Sequence, residues 1–254
     1  MTATDWKARE GYGNPVDSIG YEQVPNQDGA GIVDALGPGV DAFSVGERVW
    51  VWDAAWNAPT GTAQEYVCLP TRKVVSLPDS VSFDLGASLG IPALTAHRAL
   101  TCNDIAAGRL HPGALDGRTV LVRGGAGVVG HAAVQLARWA GAEVIATVSS
   151  QQKGVLARAA GAHHVIDYLL EDARARIGEL APRGVDIIVE VAPRTQLVED
   201  AHVAAVHGTI AIFVSDDIDE LTVSSGPSMW KNLRYQFIVT YTTTEEQKDA
   251  AVAD

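Results

Sequence analysis

Apolar positions change their rhythm about a third of the way along the chain. Residues 31–36, 47–52, 63–68 and 73–77 are short, β-rich runs broken by Gly and Pro, with Gly37, Pro38 and Gly39 forming a turn signal. Such spacing predicts a small β-barrel-like region. From residue 119 the pattern becomes an alternation of apolar strands and helical segments, as expected of a parallel sheet covered on both faces. The predicted strands are 119–123, 143–148, 164–166, 185–191, 209–214 and 236–241, and the clearest helices are 129–140 and 195–206. This order predicts an α/β fold, a Rossmann doubly wound sheet. The expected division is a first region over 1–92 and a second over 93–254, the latter opening on a helix-like stretch at 93–100.

The strand at 119–123 runs straight into Gly124-Gly-Ala-Gly-Val-Val-Gly130, which places Gly125, Gly127 and Gly130 in a G-x-G-x-x-G spacing between a strand and a helix. The first glycine permits the tight turn, the second lets main chain approach a diphosphate, and the third lets the helix pack on the strand. The main-chain N–H groups of Ala126, Val128 and Val129 at the helix start then face an anion.

The second strand decides between NAD(H) and NADP(H). NAD-specific folds end it with an acidic residue that accepts from the ribose hydroxyls; here Ser149 and Ser150 stand there, followed by Lys153, while Glu143 lies at the opposite end. Two hydroxyls and a cation suit a 2′-phosphate, so NADP(H) is the expected cofactor. The plainer alternative is that the serines cap the next helix and Lys153 is a solvated charge; both can hold together.

Composition narrows the function classes. A net charge of −12, from 31 acidic and 19 basic residues, disfavours nucleic acid and anionic lipid as partners. There is neither an apolar stretch long enough to span a bilayer nor a secretion-signal layout at the start, so a cytoplasmic location is expected. Cys68 and Cys102 are far apart and read as buried or inert thiols. His163 and His164 precede a strand, where neighbours point to opposite faces, so joint metal binding is not expected. No His, Cys or carboxylate stands out as a general acid.

Several motifs occur together in one order: Asn14-Pro-Val-Asp17, Asp28-Gly-Ala-Gly-Ile-Val33, Val45-Gly-Glu-Arg-Val49, Leu94-Thr-Ala-His97 and the glycine loop. In this the chain resembles the zinc-independent medium-chain dehydrogenase/reductases, specifically NADPH:quinone oxidoreductases of the zeta-crystallin type. The resemblance implies a GroES-like catalytic domain followed by a Rossmann domain, with the nicotinamide in the cleft between them. It implies Asn14 beside nicotinamide and substrate, Thr95 at the nicotinamide end of the cofactor, and Tyr21 lining the substrate pocket. It also implies Lys153 and Tyr168 on the adenosine phosphate, and Val191 and Phe213 as further cofactor contacts at strand ends. On residues alone, Asn14, Thr95 and Tyr168 also read as a turn residue, a helix residue and a strand end. The implied reaction is hydride transfer to a quinone or conjugated carbonyl as small-molecule substrate, in a homodimer formed through the outer strand. Zinc is not expected, because Pro15 and Val16 and then Gln27, Asp28 and Gly29 stand where zinc-dependent relatives carry Cys and Gly-His-Glu.

The chain is shorter than that pattern before Asn14, between Ser18 and Gln27, and past Asp254, so the GroES-like barrel is expected to be partial and the C-terminal return segment absent. Asn26 replaces a usual glycine, and residues 190–192 and 213–215 lack the usual glycine-containing turns. Two alternatives therefore stay open: an inactive NADP(H)-binding or interaction protein, and, less favoured, a zinc-type alcohol dehydrogenase.

Overall fold

Alternate residues of each central strand enter opposite hydrophobic layers, and this organises the second half of the chain. On β4 (Thr119–Val122), Val120 and Val122 join one buried cluster with Ala133 and Val134, whereas Leu121 joins another with Ile177 and Leu197. On β5 (Glu143–Val148), Val144, Ala146 and Val148 follow the first set and Ile145 the second. Both faces are thus dry, which accounts for the nearly unbroken apolar runs.

The computed structural model describes residues 2–10, 23–106, 108–213 and 220–254. The chain forms two units, Met1–Leu94 and Thr95–Asp254. In the second unit, β6 (His164–Asp167), β7 (Val185–Glu190), β8 (Ala204–Ile212) and β9 (Arg234–Phe237) complete a six-stranded parallel sheet of order β6-β5-β4-β7-β8-β9. This is the doubly wound arrangement, whose order reverses between β4 and β7. Helices α3 (Val128–Trp139), α4 (Gln151–Ala159), α5 (Ala173–Leu180) and α6 (Pro193–Val203) connect its strands. Helices α7 (Ser225–Lys231) and α8 (Glu245–Ala253) follow. The first unit holds α1 (Ala3–Arg9) and an antiparallel sheet of β1 (Gly29–Ile32), β2 (Arg48–Val51) and β3 (Val74–Ser76).

Three predicted elements are corrected. Residues 63–68 are not a strand: Tyr66 is 70% exposed, so no face is buried, and the adjoining backbone of Thr62 and Ala63 instead bonds Asn26 O and Pro25 O. The helix expected over 195–206 stops at Val203, because β8 starts at Ala204 with no intervening loop. Lys231 makes that junction possible, its ammonium donating to the carbonyls of Ala201, His202 and Ala204 at 3.1, 2.6 and 2.7 Å. The last strand ends at Phe237, and Thr240–Thr242 is a 3-10 turn.

Helix α2 (Phe83–Thr101) is broken at Gly90, where a Cβ would lie 2.0 Å from Asp28 Oδ1. That carboxylate accepts the Ile91 N–H at 2.9 Å. Burial, with help from Asp5 and Asp53, pushes the Asp28 carboxyl up to about 7.

The Asp254 carboxylate, 2% exposed, accepts from Leu110 N at 2.7 Å and from the Arg109 guanidinium, and lies 2.8 Å from His97 Nε2. Burial alone would raise this acid, but Arg109, the Leu110 amide and His97 outweigh it and bring it to about 2. An acid lowered on folding adds stability that is complete above its unfolded value and disappears as pH falls through about 2. Asp254→Asn is expected to lose about 1.5–3 kcal/mol in urea unfolding at neutral pH. The gap to the native chain should close between about pH 4 and pH 2; a gap constant over that range would contradict this assignment.

Candidate functional site

The glycine turn follows from crowding between β4, β5 and α3. Arg123 still bonds Val189 O at 3.0 Å, and then Gly124 reverses the chain at φ +66°. Gly125 N–H donates to Thr147 O at 3.0 Å and Gly127 N–H returns to Gly124 O at 2.9 Å. A Cβ at Gly125 would stand 2.7 Å from the Ala146 Cβ, and one at Gly130 only 2.3 Å from the Gly124 carbonyl oxygen. Ala126 is half-buried beside them.

Helix α3 then begins at Val128 on Gly127, an N-cap without a side chain to satisfy the helix start. The first-turn N–H groups of Val128, Val129 and Gly130 have no acceptor within the helix, and Val128 is 63% exposed. The helix dipole adds partial positive charge at the same point. This arrangement can bind a diphosphate at the carboxyl ends of the strands.

Residues from β5, α4 and β6 meet at the neighbouring edge. Ser150 caps α4 by accepting the Lys153 N–H at 3.3 Å, and Lys153 Nζ donates to Ser149 Oγ at 2.8 Å. The capping alternative is thus observed for Ser150, and it leaves the two hydroxyl protons and two of the three ammonium protons able to donate to an anion. Tyr168 N–H donates to Val148 O at 3.1 Å, which fixes the half-exposed tyrosine next to Ser149. The adjacent Asp167 carboxylate turns back onto its own loop, accepting Leu169 N–H at 3.1 Å. Glu143, at the other end of β5, lies 2.9 Å from His164 Nε2 and 3.4 Å from His163 Nε2.

That last pair corrects one expectation. His163 and His164 do not diverge: His163 precedes β6, outside strand alternation, so both rings reach one carboxylate. Among the described residues no group of three or more His, Cys, Asp or Glu is placed to hold a metal ion. Cys102 is buried, and burial pushes its thiol up to about 11; Cys68 is exposed.

Thr95 is buried, its hydroxyl 2.5 Å from that of Thr240. Val191 lies just past β7 and comes close to the turn: a Cβ on Gly124 would be 3.1 Å from its Cγ1. Phe213 follows β8 and packs half-buried against the first core cluster. The expected Asn14 and Tyr21 lie outside the described residues.

Sequence reasoning missed a buried charged group beneath the turn. Arg123, Glu190 and Asp200 are 4%, 0% and 0% exposed. Arg123 donates through Nε and Nη2 to Asp200 Oδ1 at 3.1 and 2.8 Å, and its Nε lies 3.8 Å from Glu190 Oε2. Glu190 Oε1 accepts the Ala192 N–H that opens α6. The available signal was a charged residue at the carboxyl end of each of two central strands whose preceding three residues are apolar, Arg123 after β4 and Glu190 on β7.

The profile of the zinc-binding dehydrogenase family matches residues 128–253, and that of the alcohol dehydrogenase GroES-like domain matches residues 1–79. Quinone oxidoreductase of Homo sapiens is 28% identical over 229 residues, covering 88% of this chain and 64% of that protein. The Sus scrofa protein of the same name is 29% identical over 252 residues, 97% of this chain and 70% of its own. The crystal structure of Escherichia coli quinone oxidoreductase complexed with NADPH superposes with a TM-score of 0.75 at 26% identity, over 100% of this chain and 74% of that one. The chain thus spans about two thirds of the human relative's length, 64%.

Gly130→Ala tests the crowding directly. It is expected to destabilise the chain by about 1–3 kcal/mol in denaturant unfolding, since main chain, not a flexible side chain, must yield. Gly178→Ala, with nothing within 4 Å of the new Cβ, should be neutral or stabilising; equal losses from both would contradict the packing described.

Proposed function

This chain belongs to the medium-chain dehydrogenase/reductases of the quinone oxidoreductase type, and on that premise we propose that it is an NADPH-dependent oxidoreductase acting on quinones or related conjugated carbonyls without zinc. The observation that supports this best is the uncapped start of α3 at the Gly125, Gly127 and Gly130 turn, beside the Ser149, Ser150 and Lys153 cluster. In this reading the N–H groups of Val128, Val129 and Gly130 hold the diphosphate, with Ala126 shaping the turn. Ser149, Ser150, Lys153 and Tyr168 hold the 2′-phosphate, and Val191 and Phe213 line the cofactor's path. Thr95 steadies the nicotinamide end, and the family resemblance alone carries Asn14 and Tyr21, which lie outside the described residues, as substrate-side residues.

The bound dinucleotide supplies the hydride. With no metal to polarise the acceptor oxygen, the reading favours electron-poor acceptors over simple ketones. The edge strand β9, with Phe237 61% exposed, supports a homodimer formed through that edge. Among the described residues no helix is long and apolar enough to cross a membrane, and a cytoplasmic location is proposed with the rest.

Two measurements test the reading. NADPH fluorescence titration should show saturable binding, and NADPH consumption should depend on added quinone; binding without turnover would leave a nucleotide-binding protein only. Lys153→Ala is expected to weaken NADPH binding by about tenfold or more while NADH binding changes little, because only the former loses a charge-assisted contact. Equal effects on both nucleotides would remove Lys153 from the phosphate site.

A further inference from the structure

Arg123, Glu190 and Asp200 bring one cation and two carboxyl groups together with almost no solvent. Two oxygens of the group, Glu190 Oε2 and Asp200 Oδ2, are buried without a hydrogen-bond donor. Buried acceptors are rarely left this way. A single proton held by Glu190 and donated to Asp200 satisfies both oxygens and makes the group neutral, one guanidinium against one carboxylate.

The three residues also tie together the elements that shape the glycine turn. Arg123 immediately precedes Gly124, Glu190 immediately precedes Val191, and Asp200 lies on α6, whose first N–H groups follow Ala192. Val191 in turn crowds Gly124. We propose that Glu190 is a positioning residue of the dinucleotide site, acting as the proton carrier of a one-proton lock with Asp200 and Arg123 that holds the Gly124–Gly130 turn in its binding shape. This deepens the nucleotide reading given above and rests on it.

The groups facing Glu190 are few. The residue after β4 is Arg123, α6 presents Asp200, and the register partner on β8 is Ile212. Elsewhere on α6, Arg194 is exposed and Glu199 pairs with Arg174 at 3.4 Å. Burial first, then the Asp200 charge and its hydrogen bond, push the Glu190 carboxyl up to about 9 against the opposing pull of Ala192 N–H and Arg123. An acid raised on folding holds its proton longer in the native state than in the unfolded chain. Stability is therefore expected to fall as pH climbs from about 4.5 to about 9, and to level above that. Ionisation above about 9 leaves two carboxylates against one guanidinium under the turn.

The test is NADPH binding by fluorescence and thermal unfolding without nucleotide, both from pH 5 to pH 10, on the native chain and on Glu190→Gln. The amide keeps a donor for Asp200 and cannot ionise. If only the protonated lock is competent, the native Kd should rise about tenfold between pH 8 and pH 10, one unit past the break. The decisive quantity is the difference between the two proteins across this range. Glu190→Gln should lose that rise, and its Tm should fall less than the native value between pH 5 and pH 9. Asp200→Asn supplies a second variant: with the opposing carboxylate gone, the break in native-like binding should move to lower pH. Identical pH profiles in the native chain and Glu190→Gln, or an unmoved break in Asp200→Asn, overturn the lock. Absence of NADPH binding at every pH overturns the nucleotide reading and the positioning role with it, whereas binding with unaltered profiles overturns this inference alone.

Discussion

The second unit depends on how closely main chain can approach main chain at the ends of β4 and β5. Gly130 sits where a methyl group would overlap the Gly124 carbonyl, and Gly125 where it would overlap Ala146. Because those positions have no side chains, α3 packs down onto the strand and its first amides are presented bare. A binding surface for an anion is in this sense a by-product of packing: the same absence of atoms that permits the layer contact leaves the helix start unsatisfied. The residues proposed for the adenosine phosphate extend outward from that point, along β5 to Ser149 and across to Tyr168.

Beneath this surface the protein places charge where its core is otherwise apolar. A fully hydrophobic substitute for a buried ion group is often as stable or more so, so such groups ask for an explanation other than stability. Arg123 directly follows β4 and Glu190 ends β7, the two strands on either side of the sheet's topological reversal. A guanidinium and two carboxyls fix direction as well as distance, which apolar contacts do not. The switch point of the sheet gains a defined geometry beside the glycine turn.

The sequence made much of this legible, for identifiable reasons. Strand β5 was read with its observed limits, because both faces are buried and a polar residue and two serines bound it. The α3 start was legible because glycine spacing there is dictated by sterics. Other features depend on distant partners. The strand expected at 63–68 has suitable residues but no face to bury, its neighbouring backbone being bonded to residues 25 and 26. The helix expected past Val203 was cut short by Lys231, a residue 28 positions further on that satisfies carbonyls local pattern cannot foresee. The buried acids were overlooked because a charged residue at a strand end, as Glu190, or on a connecting helix, as Asp200, ordinarily reads as a solvated one.

The junction between α6 and β8 has a consequence for how this chain can vary. Connections in α/β folds usually absorb insertions and deletions because they are exposed and free of obligations. Here helix passes into strand without a spacer, and Gly184 at φ +86° leaves no room for a methyl group, its Cβ position lying 2.6 Å from Ala204 O. Length drift in related chains should therefore skip this corner and accumulate at the opposite ends of the same elements, leaving a fixed hinge-free vertex around which the remaining loops diverge.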